Sequence, residues 1–197
     1  MADITLDRRE LLAPLFPDHT EYLFVTGLAG AARDVCALTG EADNVIALGG
    51  AMGAAVSMAL GMALSAPRER VVCVTGDGEL LMNIGALATV ASTMPDNLTI
   101  VCVDNGCHGE TGGQRGHTAR RTNLAKMAEG AGIPSVMTVQ SASELAGAAK
   151  FLTGTPAPRF LWARVTDGPP PIWARNWNFA ECRLRFRNAY LARREAG

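Results

Sequence analysis

The chain lacks an excess of charge. Eighteen basic and 19 acidic residues leave a net charge of −1, which removes the broad field that a nucleic-acid or membrane-surface binder uses. It lacks a CxxC pair. Cys36, Cys73, Cys102, Cys107 and Cys182 are odd in number and irregularly spaced, so neither a disulfide framework nor a cysteine-run iron–sulfur site is expected, and a reducing, cytoplasmic setting is. It lacks an apolar leader: the opening MADITLDRRE is charged and reads as non-secretory. No internal repeat is evident. One stretch, 44–67, lacks charge altogether. It is long enough to cross a bilayer and holds Gly49-x-x-x-Gly53, a small-residue spacing of membrane dimers. Gly49-Gly50 splits it, however, into a short strand and a helix, and a buried strand-turn-helix accounts for the same residues.

What is present is apolar content of 48% with 21 glycines over 197 residues, enough to bury one sizeable core with tight turns. A single domain spanning 1–197 is expected, with 172–197 as a C-terminal tail. Apolar runs place strands at 22–25, 45–48, 71–75, 98–103, 136–139 and 160–165. Helices are expected at 8–15, 31–38, 51–65, 80–93, 122–130 and, after a Ser141 cap, 143–152. Residues 106–120, with five glycines and no period, read as a loop. Strands alternating with helices imply a three-layer α/β/α domain around a mostly parallel sheet. Past the break at 168–171, arginines interleaved with Leu184, Phe186, Tyr190 and Leu191 suggest an amphipathic helix docked on the domain or on a partner.

The chemistry is concentrated in 71–114. A buried strand ends in Gly76-Asp77-Gly78, a helix follows, and a second buried strand ends in Asp104-Asn105-Gly106. Ligands of open parallel sheets bind beyond the carboxyl ends of the strands. Glycines there let backbone N–H groups approach an anion, and a helix N-terminus adds a favourable dipole. Asp77 and Asn105 can offer two oxygens to a divalent cation such as Mg²⁺, which is commonly held by one or two side chains plus phosphate and water. Two ordinary turns joined by a helix would have the same letters. The preceding strands and the spacing between Gly78 and Asn105 make the paired motif far more specific than a lone Gly-Asp-Gly.

This pattern resembles the diphosphate-binding motif of thiamine-diphosphate-dependent enzymes. In its fuller form the chain is similar to the small β subunits of 2-oxo acid decarboxylases of the sulfopyruvate and phosphonopyruvate type. The words that carry the likeness are Leu48-Gly49-Gly50-Ala51-Met52-Gly53, Gly76-Asp77-Gly78 with Leu81-Met82-Asn83, Asp104-Asn105-Gly106, and Glu110-Thr111-Gly112-Gly113-Gln114 with His117-Thr118. The resemblance implies thiamine diphosphate and Mg²⁺ as cofactors. It implies Asp77, Asn105 and the carbonyl of Cys107 as metal ligands, and backbone N–H groups of Gly78 and Glu79 on the diphosphate, with Gly27 nearby. It also implies the Gly50 carbonyl as acceptor from the pyrimidine amino group and Met52 as the wedge that bends the cofactor. Glu79 stands where relatives often carry a small residue, and its carboxylate is expected to turn away from the diphosphate.

The resemblance covers only the diphosphate-binding half of such a site. The glutamate that serves the pyrimidine lies in these families on another domain, so an α subunit of similar size is expected, in a symmetric assembly such as α2β2. A 2-oxo acid would lose CO2 to give an aldehyde, with His117, His108, Glu110 and Thr111 available for proton transfer; a histidine titrates near neutrality. Arg115, Arg120, Arg121 and Lys126 could hold a sulfonate or phosphonate. Alternatives remain: carboligation by the same machinery, the β subunit of a 2-oxoacid oxidoreductase, or a non-catalytic regulatory subunit.

Overall fold

The computed structural model describes residues 3–196. Met1 and Ala2 of the charged opening, and Gly197 of the tail, lie outside the described residues. Six strands form one sheet: β1 (Tyr22–Thr26), β2 (Val45–Ala47), β3 (Arg70–Gly76), β4 (Leu98–Asp104), and, later in the chain, two more separated from these by a small hairpin. That hairpin pairs β5 (Cys107–His108) with β6 (Gln114–Arg115) antiparallel, and the last sheet strands are β7 (Ser135–Val139) and β8 (Arg159–Arg164). The order is β2-β1-β3-β4-β8-β7, every pair parallel. All seven residues of β4 are buried. A central strand covered on both faces has no need of polar alternation, which is why 100–103 reads as a continuous apolar run.

Helices close both faces. On one side α1 (Leu12–Leu15), α2 (Ala29–Thr39) and α7 (Leu145–Gly154) pack their apolar residues with Val72, Val74, Val101 and Leu161. On the other, α3 (Ala55–Ser65), α5 (Ala86–Thr93) and α6 (Leu124–Ala131) pack with Cys73, Ile100, Cys102 and Phe160. The expected three-layer α/β/α architecture is therefore present. The charge-free stretch 44–67 is β2 followed by α3, and no helix among the described residues is long and apolar enough to cross a membrane. All five cysteines are free.

Three expected helices differ. Residues 8–15 form a 3₁₀ turn (Arg8–Glu10) and the single turn α1, because Pro14 and Pro17 supply no backbone donor to extend it. The helix expected at 51–65 begins only at Ala55: Gly53 takes a left-handed φ of 82°, and its carbonyl accepts from Asn83 Nδ2 at 3.0 Å. The helix expected at 80–93 is two. The short α4 (Asp77–Met82) starts within the Gly-Asp-Gly turn itself, and Asn83 then leaves the helical region (φ −143°, ψ 51°) before α5 begins. The loop expected at 106–120 contains the β5–β6 hairpin. Starts at 122 and 143 shift slightly, to Leu124 behind an Asn123 cap and to a 3₁₀ turn (Ala142–Glu144) with a Ser141–Glu144 capping box.

The tail helix is α8 (Phe179–Ala196), and it docks on the domain. Phe186 is buried with Leu23 and Ala66, Arg185 pairs with Asp43, and Arg193 with Glu69.

The chain runs from β1 outward to β2, then returns across β1 to β3. The loops after β1 and β3 therefore diverge, and such a switch point opens a crevice at the carboxyl edge of the sheet.

Candidate active site

At this edge Asp77 opens α4, with Gly76 as an N-cap that offers no side-chain bond to the helix amides. Asp77 is 3% exposed. Its Oδ2 accepts from Thr118 Oγ1 at 3.1 Å, and the same hydroxyl lies 2.7 Å from Asp104 Oδ1. One hydroxyl has one proton, so it satisfies a single carboxylate at a time. Asp104 also accepts from the Gly106 amide and from Trp162 Nε1, both at 2.8 Å. Burial, and next the charge of Asp104, push the Asp77 carboxyl up to about 7. Two adjacent buried carboxylates, one facing a cavity, favour uptake of a proton or a cation.

Asn105 follows on the next strand end. Its Nδ2 donates to Cys107 Sγ (3.0 Å) and Asp167 Oδ1 (3.4 Å), its Oδ1 accepts from the Cys107 amide (3.4 Å), and the Cys107 thiol donates to Asp167 Oδ1 at 2.8 Å. Burial, then the bond to Asp167, push this thiol up to about 12. A hard cation such as Mg²⁺ prefers oxygen ligands, which points to the backbone carbonyl as the group Cys107 can offer. Sequence reading did not single out Asp167. It lies three residues past the end of β8, on the same edge as the two motif turns, and that position was its only signal.

These residues open onto a cavity of roughly 380 Å³. Asp77, Gly78, Glu79, Asn105 and Cys107 line it, as do His108, Glu110 and Thr111 from the hairpin, and Met52, 45% exposed, stands on its wall. Of the other candidates, Gly27 lies behind Glu79: a Cβ on Gly27 would fall 1.6 Å from Glu79 Oε2. Gly50 is exposed and off the wall, in the loop that carries Met52. His117 is exposed, also off the wall, with its ring 6.3 Å from that of His108. Arg115, Arg120, Arg121 and Lys126 are not among the wall residues.

Glu79 is turned into the domain. Its carboxylate accepts from the Leu28 amide (3.2 Å) and Thr75 Oγ1 (3.1 Å), its Oε1 has no partner, and burial pushes its pKa up. Among the described residues no cluster of three His, Cys, Asp or Glu side chains could hold a metal unaided. A cation here would draw its other ligands from backbone, ligand or water.

Comparison with known proteins agrees with this geometry. Residues 36–161 match the family described as thiamine pyrophosphate enzyme, C-terminal TPP binding domain. The chain is 42% identical over 89 residues to a sulfopyruvate decarboxylase subunit beta of Methanocaldococcus jannaschii, covering 45% of this chain and 47% of that one. It is 29% identical to the corresponding subunit of Methanococcus maripaludis, over 93% of this chain and 97% of the relative. It is 37% identical to a phosphonopyruvate decarboxylase of Streptomyces viridochromogenes, over 65% of this chain but 32% of that enzyme. The chain thus spans from about a third to nearly all of the length of these relatives. A solved thiamine diphosphate-dependent 4-hydroxybenzoylformate decarboxylase of Rhodococcus jostii superposes with a TM-score of 0.66 at 21% identity, over 85% of this chain and 34% of that one, a likeness of fold. By its matched residues and its fold, the chain belongs to the thiamine pyrophosphate enzymes, through their C-terminal TPP-binding domain.

Proposed function

We propose that this chain is the diphosphate-binding β subunit of a thiamine-diphosphate- and Mg²⁺-dependent 2-oxo acid decarboxylase of the sulfopyruvate or phosphonopyruvate type, in a reducing, cytoplasmic setting. The observation that carries the reading is the cavity with Asp77 and Asn105 on its wall at the carboxyl edge of the sheet. The residues fit the cofactor: an uncapped helix start at Gly76-Asp77, a buried carboxyl whose pKa burial raises, and an amide oxygen beside it suit a metal–diphosphate.

Asp77 Oδ, Asn105 Oδ1 and the Cys107 carbonyl would hold the metal, and the Gly78 and Glu79 amides the diphosphate, with Gly27 close by. Asp104, through Thr118, keeps Asp77 oriented. Asp167 orients the Asn105 amide by accepting from its Nδ2. Met52 would shape the wall where the cofactor bends, and the Gly50 carbonyl would accept from the pyrimidine amino group. When bound, thiamine diphosphate supplies an electron sink that lets a 2-oxo acid lose CO2. His108, Glu110 and Thr111 exclude water and hold or move protons from the hairpin side. His117 joins them if the hairpin closes. Arg115, Arg120, Arg121 and Lys126, off the wall, stand as reserves for a substrate anion should the hairpin or the partner bring them near.

Met52 and Met82 are exposed, which supports a pyrimidine side that this chain would leave open beside them. A pyrimidine-binding α subunit would complete the site, in an α2β2 assembly or a multiple. The test is CO2 release from sulfopyruvate, phosphonopyruvate, pyruvate and benzoylformate by the co-purified subunits, with and without Mg²⁺ and thiamine diphosphate. Release is expected only with both cofactors and both subunits, and is lost in Asp77→Ala. Bound cofactor without CO2 from any acid would move the assignment to carboligation or redox chemistry. Activity from this chain alone would overturn the shared site.

A further inference from the structure

Arg8 comes from the segment before β1, outside the residues matched to the family, and no periodicity marks it. It is 7% exposed, yet it lies on the wall of the site cavity. Its Nε and Nη2 donate to the two carboxylate oxygens of Asp34 at 3.1 and 2.7 Å. This fork fixes the guanidinium plane and leaves Nη1 out of the pair. A Cβ on Gly30 would fall 2.2 Å from Nη2 and 2.8 Å from Nη1, so the guanidinium lies directly over the first turn of α2. That helix begins behind Leu28, which gives its amides no side-chain cap. Ala29, at its first position, holds a left-handed φ of 61°, a strain that surrounding structure must enforce. Loop 27–30 reads Gly-Leu-Ala-Gly and offers no hydroxyl.

Charge completes the argument. On the cavity wall Asp77, Glu110 and Asp167 stand with two arginines, Arg33 and Arg8, the second held in its ion pair with Asp34. Arg33 is exposed and Arg8 buried. A diphosphate entering among carboxylates gains from hydrogen-bond donors already held in place, and the guanidinium fixed by Asp34 offers its remaining Nη1 donors with little entropy to lose.

We infer that Arg8 is a cofactor-binding residue, donating through Nη1 to the diphosphate, with Asp34 as its positioning partner. The inference rests on the thiamine-diphosphate reading above. It assigns the binding of the cofactor's anion partly to the N-terminal segment.

The test is binding, not turnover. Calorimetry on the co-purified complex, with Mg²⁺ present, would measure affinity for thiamine diphosphate and for inorganic diphosphate. In the double variant Arg8→Met/Asp34→Leu both charges leave together, so no unpaired buried charge remains to unfold the domain. Affinity for both ligands should fall about 10- to 30-fold. Asp34→Asn, which keeps the guanidinium, should lose about 3-fold or less. Arg8→Lys keeps the charge without the fork and should fall between them, which carries the test even if the double variant does not fold. Unchanged affinity in Arg8→Lys and in the double variant would make Arg8 a structural strut and overturn the inference while leaving the cofactor reading intact. A wild-type complex that binds neither ligand would overturn both.

Discussion

Asp77 is held in the fold at an energetic cost that its proposed metal would relieve. Its carboxyl is pushed up from the ordinary carboxylate range to about 7, by burial first and Asp104 second. A raised carboxyl pKa means that the folded chain binds a proton which the unfolded chain has released. Metal-free stability should therefore fall as pH rises between about 4 and 7, and stay low above 7. Asp77→Asn removes the titration. Thermal melts of the metal-free chain should show the variant several degrees more stable than wild type at pH 8, with the difference shrinking toward pH 5. A variant less stable than wild type at pH 8 would contradict the account. Asp77 and Asn105 were legible in the sequence because residue type, glycine neighbours and spacing coincide there. Arg8 and Asp167 were not: each reaches the cavity from a distant part of the chain, through a contact that leaves no local pattern. The family likeness also favours His117, whose ring lies 6.3 Å from that of His108 and off the cavity wall.

Helices and strands were legible to the degree that burial alone decides them. β3 and β4 are covered on both faces, so their apolar runs could hardly be read otherwise. The region 77–93 was not, because its apolar content continues through a break that one side chain makes. Asn83 leaves the helix to bond Gly53 O at 3.0 Å and Ser57 Oγ at 3.3 Å. In doing so it ties the α4–α5 corner to the turn that carries Met52, across 30 residues of sequence. This bond is the physical link between the two glycine-rich words of the motif. Asn83→Ala leaves the Gly53 carbonyl without that donor and should cost about 1–2 kcal/mol of stability. It should also loosen the Met52 turn, so that cofactor affinity falls by more than the stability loss predicts. Hydrogen exchange of 51–54 tests this directly. Protection unchanged in the variant would confine Asn83 to a local role.

At the scale of the molecule, the fold closes its core on both faces but leaves one edge unfinished. The sheet and its two helical layers enclose the core and α8 docks against them; the sequence read the tail as an amphipathic helix docked on the domain or on a partner, and did not decide between them because the docking depends on residues far back in the chain, among them Leu23, Asp43, Ala66 and Glu69. What remains exposed near the cavity is Met52 at 45% and Met82 at 63%. A Cβ on Gly53 would lie 3.4 Å from Met82 Cβ, so the two methionines border the same turn. Unbranched, adaptable side chains beside the cavity suit the proposed surface that another subunit would cover. Met82 does not line the cavity, which separates association from cofactor binding. Met82→Glu should change the stability of the isolated chain by no more than about 0.5 kcal/mol, as exposed substitutions usually do. Against the α subunit it places a charge in an apolar contact, and association should weaken about tenfold or more. Titration of the variant with that subunit, followed by sedimentation, measures this. Equal affinity for variant and wild type would place the partner surface away from this turn, and with it the pyrimidine side of the shared site.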